Sequence, residues 1–274
     1  MRVEAITPAI GAEISGIDLN NVSDDIADAI YEALITHHVI FFRGQDVSPA
    51  AHVQLAQTFG EMEPPHPIYP SCEGFPNIMV LENNADNPPD TDGWHTDVTY
   101  KPNPPFASLL IARKVPKVGG DTLWMSQCAA YDALPAEMKA LLAGKQAVHD
   151  MGDFRNNFAV DDNPAEAITA AHQRFGSAVH PVVRKHPRSG RPFLFVNEAF
   201  TNQIVGMRMA ESNSLLQHLY QHMNQPQFQM RFRWSEGAVA MWDNRCTQHF
   251  ATADYMPHHR IMNRITITND RRVL

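Results

Sequence analysis

His95 and Asp97 stand two residues apart in the run Trp94-His95-Thr96-Asp97. In an extended strand, residues i and i+2 project from one face, so the imidazole and the carboxylate could reach one ion. They would be two of the three ligands of the facial triad that holds non-haem Fe(II), and the third must be another histidine. His249 is the candidate. It follows a strand that reads as ending in a turn, an edge from which a ligand can project. An HxD tripeptide alone fits a surface polar pair equally well. Further on, Arg260–Thr268 reads as a strand with Arg260, Met262, Arg264, Thr266 and Thr268 on one face and Ile261, Ile265 and Ile267 on the other. At ~3.3 Å per residue the two arginines stand about 13 Å apart, enough to hold two different anions. A solvated face carrying two arginines is the plainer alternative, and a neighbouring metal weakens it.

The elements that must position these residues are mainly β, with flanking helices. Ser23 can cap a helix whose apolar face is Ile26, Ile30, Ala33 and Leu34, with Asp24 and Asp25 where the helix dipole favours anions. Val39–Phe42 follows as a buried strand. Ser48-Pro49 opens a second helix and Gly60 closes it. From about residue 75, short β-rich runs alternate with turn residues: Ile78–Leu81, Ala107–Ala112, Thr122–Met125, Phe193–Val196, Gln229–Trp234, Ala238–Trp242 and Arg260–Thr268. Helices are predicted over Pro135–Leu142 and Ala210–Met223. This pattern predicts an α+β chain with a double-stranded β-helix, or jelly-roll, core. Pro88-Pro89 and Pro104-Pro105 bracket residues 90–103, expected as loop–strand–loop over a pocket. Residues 152–176 are polar and are expected as a lid or surface insertion. With no repeat or linker, residues 1–274 are expected to form one domain.

Composition narrows the function. Of 274 residues 44% are apolar and 19% charged, enough to build a core. A net charge of -8 argues against nucleic acid as a partner. Three scattered cysteines in no CxxC pair argue against a disulfide framework or a zinc knuckle and fit a reducing compartment. No signal-like or membrane-length apolar run occurs, so no membrane partner is expected, and a cytoplasmic location is.

Taken in order, several segments resemble the Fe(II)/2-oxoglutarate-dependent dioxygenases of the taurine dioxygenase group. They are Gly11–Gly16, Phe41–Gln45, His66-Pro67-Ile68-Tyr69-Pro70, Trp94–Asp97, Gly119-Gly120-Asp121-Thr122-Leu123-Trp124, His180–Arg184, Leu194–Glu198 and the block from Trp242 to Arg264. The resemblance implies that His95, Asp97 and His249 bind Fe(II), with 2-oxoglutarate and O2 as cosubstrates. Arg260 would pair with the distal carboxylate of 2-oxoglutarate, bidentate as guanidinium allows, and Thr122 would donate to a carboxylate of the same molecule. Arg264 would hold the anionic head of the primary substrate, with His66, Tyr69 and the backbone N–H of Val98 beside it. Phe200, and Phe154 or Phe158, would wall the carbon chain. The implied reaction is hydroxylation of a small sulfonate, taurine first, at the carbon bearing sulfur, which releases sulfite and an aldehyde with succinate and CO2. A dimer or tetramer is implied as well. One departure concerns Asp90-Thr91. The taurine pattern has Asn where Thr91 stands, and Thr lacks the amide, although Asp90 could still hold an amine. Sulfate esters and aryloxyalkanoates are therefore competing substrates.

Plainer roles fit the other histidines and the tryptophans. His37-His38 reads as a polar helix end, His258-His259 as a basic loop, and His218 with His222 as a surface helix face. His149, His180 and His186 read as structural hydrogen-bonders. Trp94, Trp124, Trp234 and Trp242 read as core anchors. Two rival classes are a non-catalytic metal-binding jelly roll and a zinc hydrolase. The complete His–Asp–His set with Arg260 and Thr122 argues against the first, and two arginines without a general base against the second.

Overall fold

The computed structural model describes residues 1–89, 93–152 and 164–272. The chain opens with β1 (Arg2–Ala5), β2 (Ala12–Ser15), α1 (Asp24–His37), β3 (Val39–Phe42), α2 (Pro49–Phe59), β4 (Ser71–Cys72) and β5 (Phe75–Asn83). It continues through β6 (Ala107–Lys114), β7 (Thr122–Ser126), α3 (Gln127–Asp132), α4 (Ala136–Leu142), β8 (Gln146–Asp150) and α5 (Pro164–Phe175). Next come β9 (Ser177–Pro181), β10 (Val183–Lys185), β11 (Pro192–Leu194), β12 (Thr201–Ile204) and α6 (Met209–Met223). It closes with β13 (Gln229–Phe232), β14 (Val239–Asp243), β15 (Thr247–Ala251) and β16 (Arg260–Ile267).

The strands build a jelly roll. The major sheet runs β1-β2-β3-β14-β6-β16-β5-β4, and the minor sheet runs β13-β7-β15. Period-2 alternation explains why the central strands are apolar throughout. Phe41, Leu110, Trp242 and Met262 face the jelly-roll interior and pack with Trp124, Met230 and Phe232 of the minor sheet. Their neighbours Ile40, Phe42, Leu109, Ile111, Met241 and Ile265 face the other way, against Ile30 and Leu34 of α1 and Leu55 and Phe59 of α2. A sheet buried on both faces has no polar face to alternate with.

Both N-terminal helices start where their caps place them. Ser23 Oγ accepts from Ile26 N–H and Ser48 Oγ from Ala51 N–H. Of the segment expected as a lid, Gly176 ends the helix α5, and residues 153–163, which include Phe154 and Phe158, lie outside the described residues. Alanine at four of the twelve positions 164–175 favours a helix but marks no strong apolar face, which concealed it.

Candidate active site

The His95-Thr96-Asp97 motif does not lie on a strand, as its spacing had suggested. His95 forms a single antiparallel bridge with His249, and the chain enters a turn at Asp97. His249 is not at a strand end either, but in the middle of β15, opposite Trp124 of β7. His95 N–H donates to His249 O at 3.1 Å, and His249 N–H donates to His95 O at 2.9 Å. The backbone thus sets the two imidazoles side by side, ring centroids 4.2 Å apart. Two further contacts fix the carboxylate. Thr96 Oγ1 donates to Thr247 O at 2.7 Å. Asn244 grips the Asp97 peptide groups, accepting from the N–H at 2.9 Å and donating to the C=O at 3.2 Å.

The result is a compact donor set. Asp97 Oδ1 lies 3.7 Å from His95 Nε2 and 3.9 Å from His249 Nε2. Donors bound at about 2.0–2.2 Å to one ion are less than about 4.4 Å apart, so the three can share a metal. His95 Nδ1 lies 2.8 Å from Gly93 O and must donate there, which leaves Nε2 unprotonated on the side of Asp97. His249 is held by packing instead. Its ring packs against both Trp124 and Trp242, which also meet each other, and its buried Nδ1 has no partner among the described residues. Burial raises the Asp97 carboxyl, but Arg264 and the two imidazoles more than offset this and hold it at about 2, so it is ionised at neutral pH. Burial keeps the His249 imidazole well below its usual range, hence neutral.

A second charge centre lies on β16. Arg260 is 6% exposed, and no carboxylate pairs with it among the described residues. Its Nε has no partner, and its guanidinium sits 5.8 Å from the Tyr255 ring. A buried guanidinium without a counter-charge is costly and is a ready receptor for a carboxylate. Thr122 lines the same cavity as Arg260. Its Oγ1 accepts from Trp234 Nε1 at 2.9 Å, which leaves the hydroxyl proton to donate elsewhere. The turn before β7 uses Gly119 and Gly120 at φ +80° and +71°, a region that favours glycine. A Cβ on Gly119 would lie 2.9 Å from Asp254 O, so this glycine admits the close approach of the turn to the loop that carries Asp254.

The sequence model of the Taurine catabolism dioxygenase TauD, TfdA family matches residues 2–266. The chain belongs to this family. It is 35% identical to an alpha-ketoglutarate-dependent sulfate ester dioxygenase of Pseudomonas putida, over 98% of this chain and 90% of that protein. It is 33% identical to an alkylsulfatase of Acinetobacter baylyi, over 98% of this chain and 86% of that one. A crystal structure of a taurine dioxygenase from Burkholderia xenovorans superposes with a TM-score of 0.84 at 33% identity, covering 98% of this chain and 89% of that one. The protein is a 2-oxoglutarate-dependent dioxygenase, an enzyme that uses Fe(II), 2-oxoglutarate and O2. The residues fit that need: two imidazoles and an ionised carboxylate suit Fe(II), and Arg260, with no carboxylate partner among the described residues, suits a dicarboxylate.

The dioxygenase encloses a cavity of about 1110 Å³ that reaches His95, Asp97, His249, Thr122, Arg260 and Arg264. His66, Tyr69, Val98 and Phe200 also line it. Arg264 donates from Nη2 to Asp97 Oδ2 and to Ser108 Oγ, the latter at 2.8 Å, and lies 5.2 Å from the Trp242 ring. His66 Nδ1 accepts from the N–H groups of Ile68 and Tyr69, so its proton sits on Nε2. Burial first, and then the Arg264 and Lys101 charges, push His66 down to about 4, so it is a neutral donor. Val98 takes φ +46° in the turn after Asp97. The Phe200 ring meets His95 edge-on at 6.3 Å. Asp90 and Thr91 lie outside the described residues.

Sequence reasoning missed Asn244, Trp234 and Ser108 as parts of the site. It also took Trp124 and Trp242 only as core anchors, whereas both line the cavity and pack against His249. His38 is a further correction: as the left-handed C-cap of α1 it ends a helix, but it is buried, with Nδ1 3.1 Å from Ser126 Oγ. His149 meets Thr99 Oγ1, His180 meets the Thr99 and Lys101 carbonyls, and His186 meets Asp243, the structural roles expected of them. Cys128 and Cys246, distant in sequence, come together with His38 in the core as free thiols.

Proposed function

We propose that the dioxygenase hydroxylates a small organosulfur anion, an alkyl sulfate ester or a sulfonate such as taurine, at the carbon carrying the sulfo or sulfoxy group. The observation that carries this reading is Arg264 beside Asp97, with the neutral donor His66, in a cavity whose wall includes Ile68, Met79, Leu81 and Phe200. A cation, a neutral donor and an apolar wall suit an anionic head on a carbon chain. The roomy cavity and the sulfate-ester relatives favour a tail longer than that of taurine. Collapse of the hydroxylated carbon would release sulfate or sulfite and leave an aldehyde. Assembly as a dimer or tetramer is part of the same reading, tested by light scattering.

In this proposal His95, Asp97 and His249 hold Fe(II), and Arg260 with Thr122 holds the distal carboxylate of 2-oxoglutarate. When bound, the iron and the 2-oxo acid supply the O2-dependent oxidation, with succinate and CO2 as coproducts. The chain supplies position. Arg264 binds the anionic head near the iron ligands, His66 donates through Nε2, and the Phe200 ring beside His95 packs on the carbon chain and excludes water.

Two measurements test this. Anaerobic 2-oxoglutarate added to the Fe(II) protein should give a visible charge-transfer band. Asp97→Ala should abolish the band, and Arg260→Ala should weaken 2-oxoglutarate binding by about a hundredfold, as loss of a buried charged hydrogen bond does. An unchanged band in Asp97→Ala would refute the ligand set. Succinate formation should then be measured across alkyl sulfates, sulfonates and aryloxyacetates, where a clear preference for carboxylates would refute the organosulfur reading.

A further inference from the structure

The cavity holds one ion pair that the chemistry above does not use. Lys101 Nζ donates to both oxygens of Glu63, at 3.1 and 3.0 Å. Both residues line the cavity, and their side chains are 29% and 25% exposed. They come from the two loops that bracket the substrate region. Lys101 closes the turn after Asp97, its N–H donating to Val98 O at 3.0 Å and its carbonyl lying 3.1 Å from His180 Nε2. Glu63 precedes His66, its N–H donating to Thr266 O at 2.8 Å, beside Arg264, and its carbonyl accepting from Asn77 Nδ2 at 2.8 Å. The backbone of each is thus anchored, and the side-chain pair spans the gap.

A partly exposed ion pair adds little to stability. Its place in the cavity gives it another use. An ammonium has three donors, and the two Glu63 oxygens engage two of them. Lys101, His66 and Arg264 all line this one cavity, and the Glu63 N–H bonded to Thr266 O ties the segment that carries His66 to the strand that carries Arg264. A sulfo group presents three oxygens in a tripod, whereas a carboxylate presents two in a plane. Three donors facing one cavity (His66, Lys101 and Arg264) equal the tripod in number and exceed a carboxylate by one, and such a mismatch discriminates between ligands.

We propose that Lys101, held and charge-balanced by Glu63, is a specificity residue that completes with Arg264 and His66 a three-point cradle for the –SO3⁻ head, while Glu63 disfavours substrates with a second negative charge. The proposal rests on the organosulfur reading above. It predicts opposite effects from the two halves of one ion pair, which a merely structural bridge would not produce.

The test compares Lys101→Met, Lys101→Arg and Glu63→Gln with the wild type on an alkyl sulfate, the matching alkyl carboxylate and an ω-carboxyalkyl sulfate. KM and kcat are read from succinate formation, and substrate-free 2-oxoglutarate affinity from the visible band. Lys101→Met should raise KM for the alkyl sulfate about tenfold and for the carboxylate less than about twofold, the difference of one partly screened charged hydrogen bond. Lys101→Arg should recover most of that loss. Glu63→Gln should lower KM, most for the ω-carboxyalkyl sulfate. A KM for the alkyl sulfate unmoved by Lys101→Met, or equal increases in all three variants, overturns the cradle alone. A wild type that turns over only carboxylates overturns the organosulfur reading and the cradle with it.

Discussion

Asn244 holds the Asp97 peptide on both sides, so its loss would free the carboxylate to turn without removing an iron ligand. Asn244→Ala is expected to lower Fe(II) affinity by about tenfold or more, the usual cost of losing a group that orients a metal ligand. Anaerobic iron titration checks this; an affinity equal to the wild type would mean that the His95–His249 bridge and Thr96 suffice. At this scale, the side chains that the fold gathers around the cavity were legible in the sequence because the proposed chemistry fixes their type: two imidazoles, a carboxylate, two guanidiniums. Those that act through them were not. Asn244 works on a backbone peptide 147 positions away, and Trp234 on a hydroxyl 112 positions away. Neither contact leaves a local pattern, and an indole holding a hydroxyl looks in sequence like any core tryptophan.

Elements were legible where burial is unambiguous. β3, β6 and β14 are apolar on both faces, and α1 and α2 announce their starts by Ser23 and Ser48. The short strands β1, β2, β8, β9, β10 and β12 were not predicted, because strands this short and largely polar depend on the partner they pair with. The metal motif was misread as a strand for a related reason: the His95–His249 bridge comes from a segment distant in sequence, and the turn at Asp97 is held by Asn244. Gly60 ends α2 with extended backbone, and a Cβ there would lie 1.8 Å from Asn269 O and 2.7 Å from Ile267 Cγ2 at the end of β16. Gly60→Ala should therefore cost about 2–3 kcal/mol as an overpacked contact between α2 and the major sheet. Ser48→Ala, which removes only the cap, should cost about 1 kcal/mol. Urea unfolding separates the two, and equal losses would refute the close approach.

Across the whole molecule, buried imidazoles set the acid limit. Burial pushes His38 down to about 4 and His52 and His149 down to about 3. The unfolded chain, with imidazoles near 6.5, binds these protons first, so stability is full above that pH and falls as pH drops toward the folded values. Each should remove about 2 kcal/mol by pH 5, which a melting series from pH 8 to 4.5 would show. Replacing one with Gln should flatten that slope, and an unchanged slope would refute its share. Asp243 behaves as a carboxylate should: burial opposes its charge, but Arg245 and His186 hold its pKa far down, so it contributes above about pH 4 and loses that contribution only in stronger acid. The bridge between His95 and His249 has one more consequence. Its two halves are separated by some 150 residues, and the later half arrives on the strand before β16, which must slot between β5 and β6 to complete the major sheet. A nascent chain still on the ribosome, or one cut short before Thr247, carries a lone imidazole–carboxylate pair and neither arginine. The proposed iron-ligand set is therefore completed only by the strands that translation delivers last.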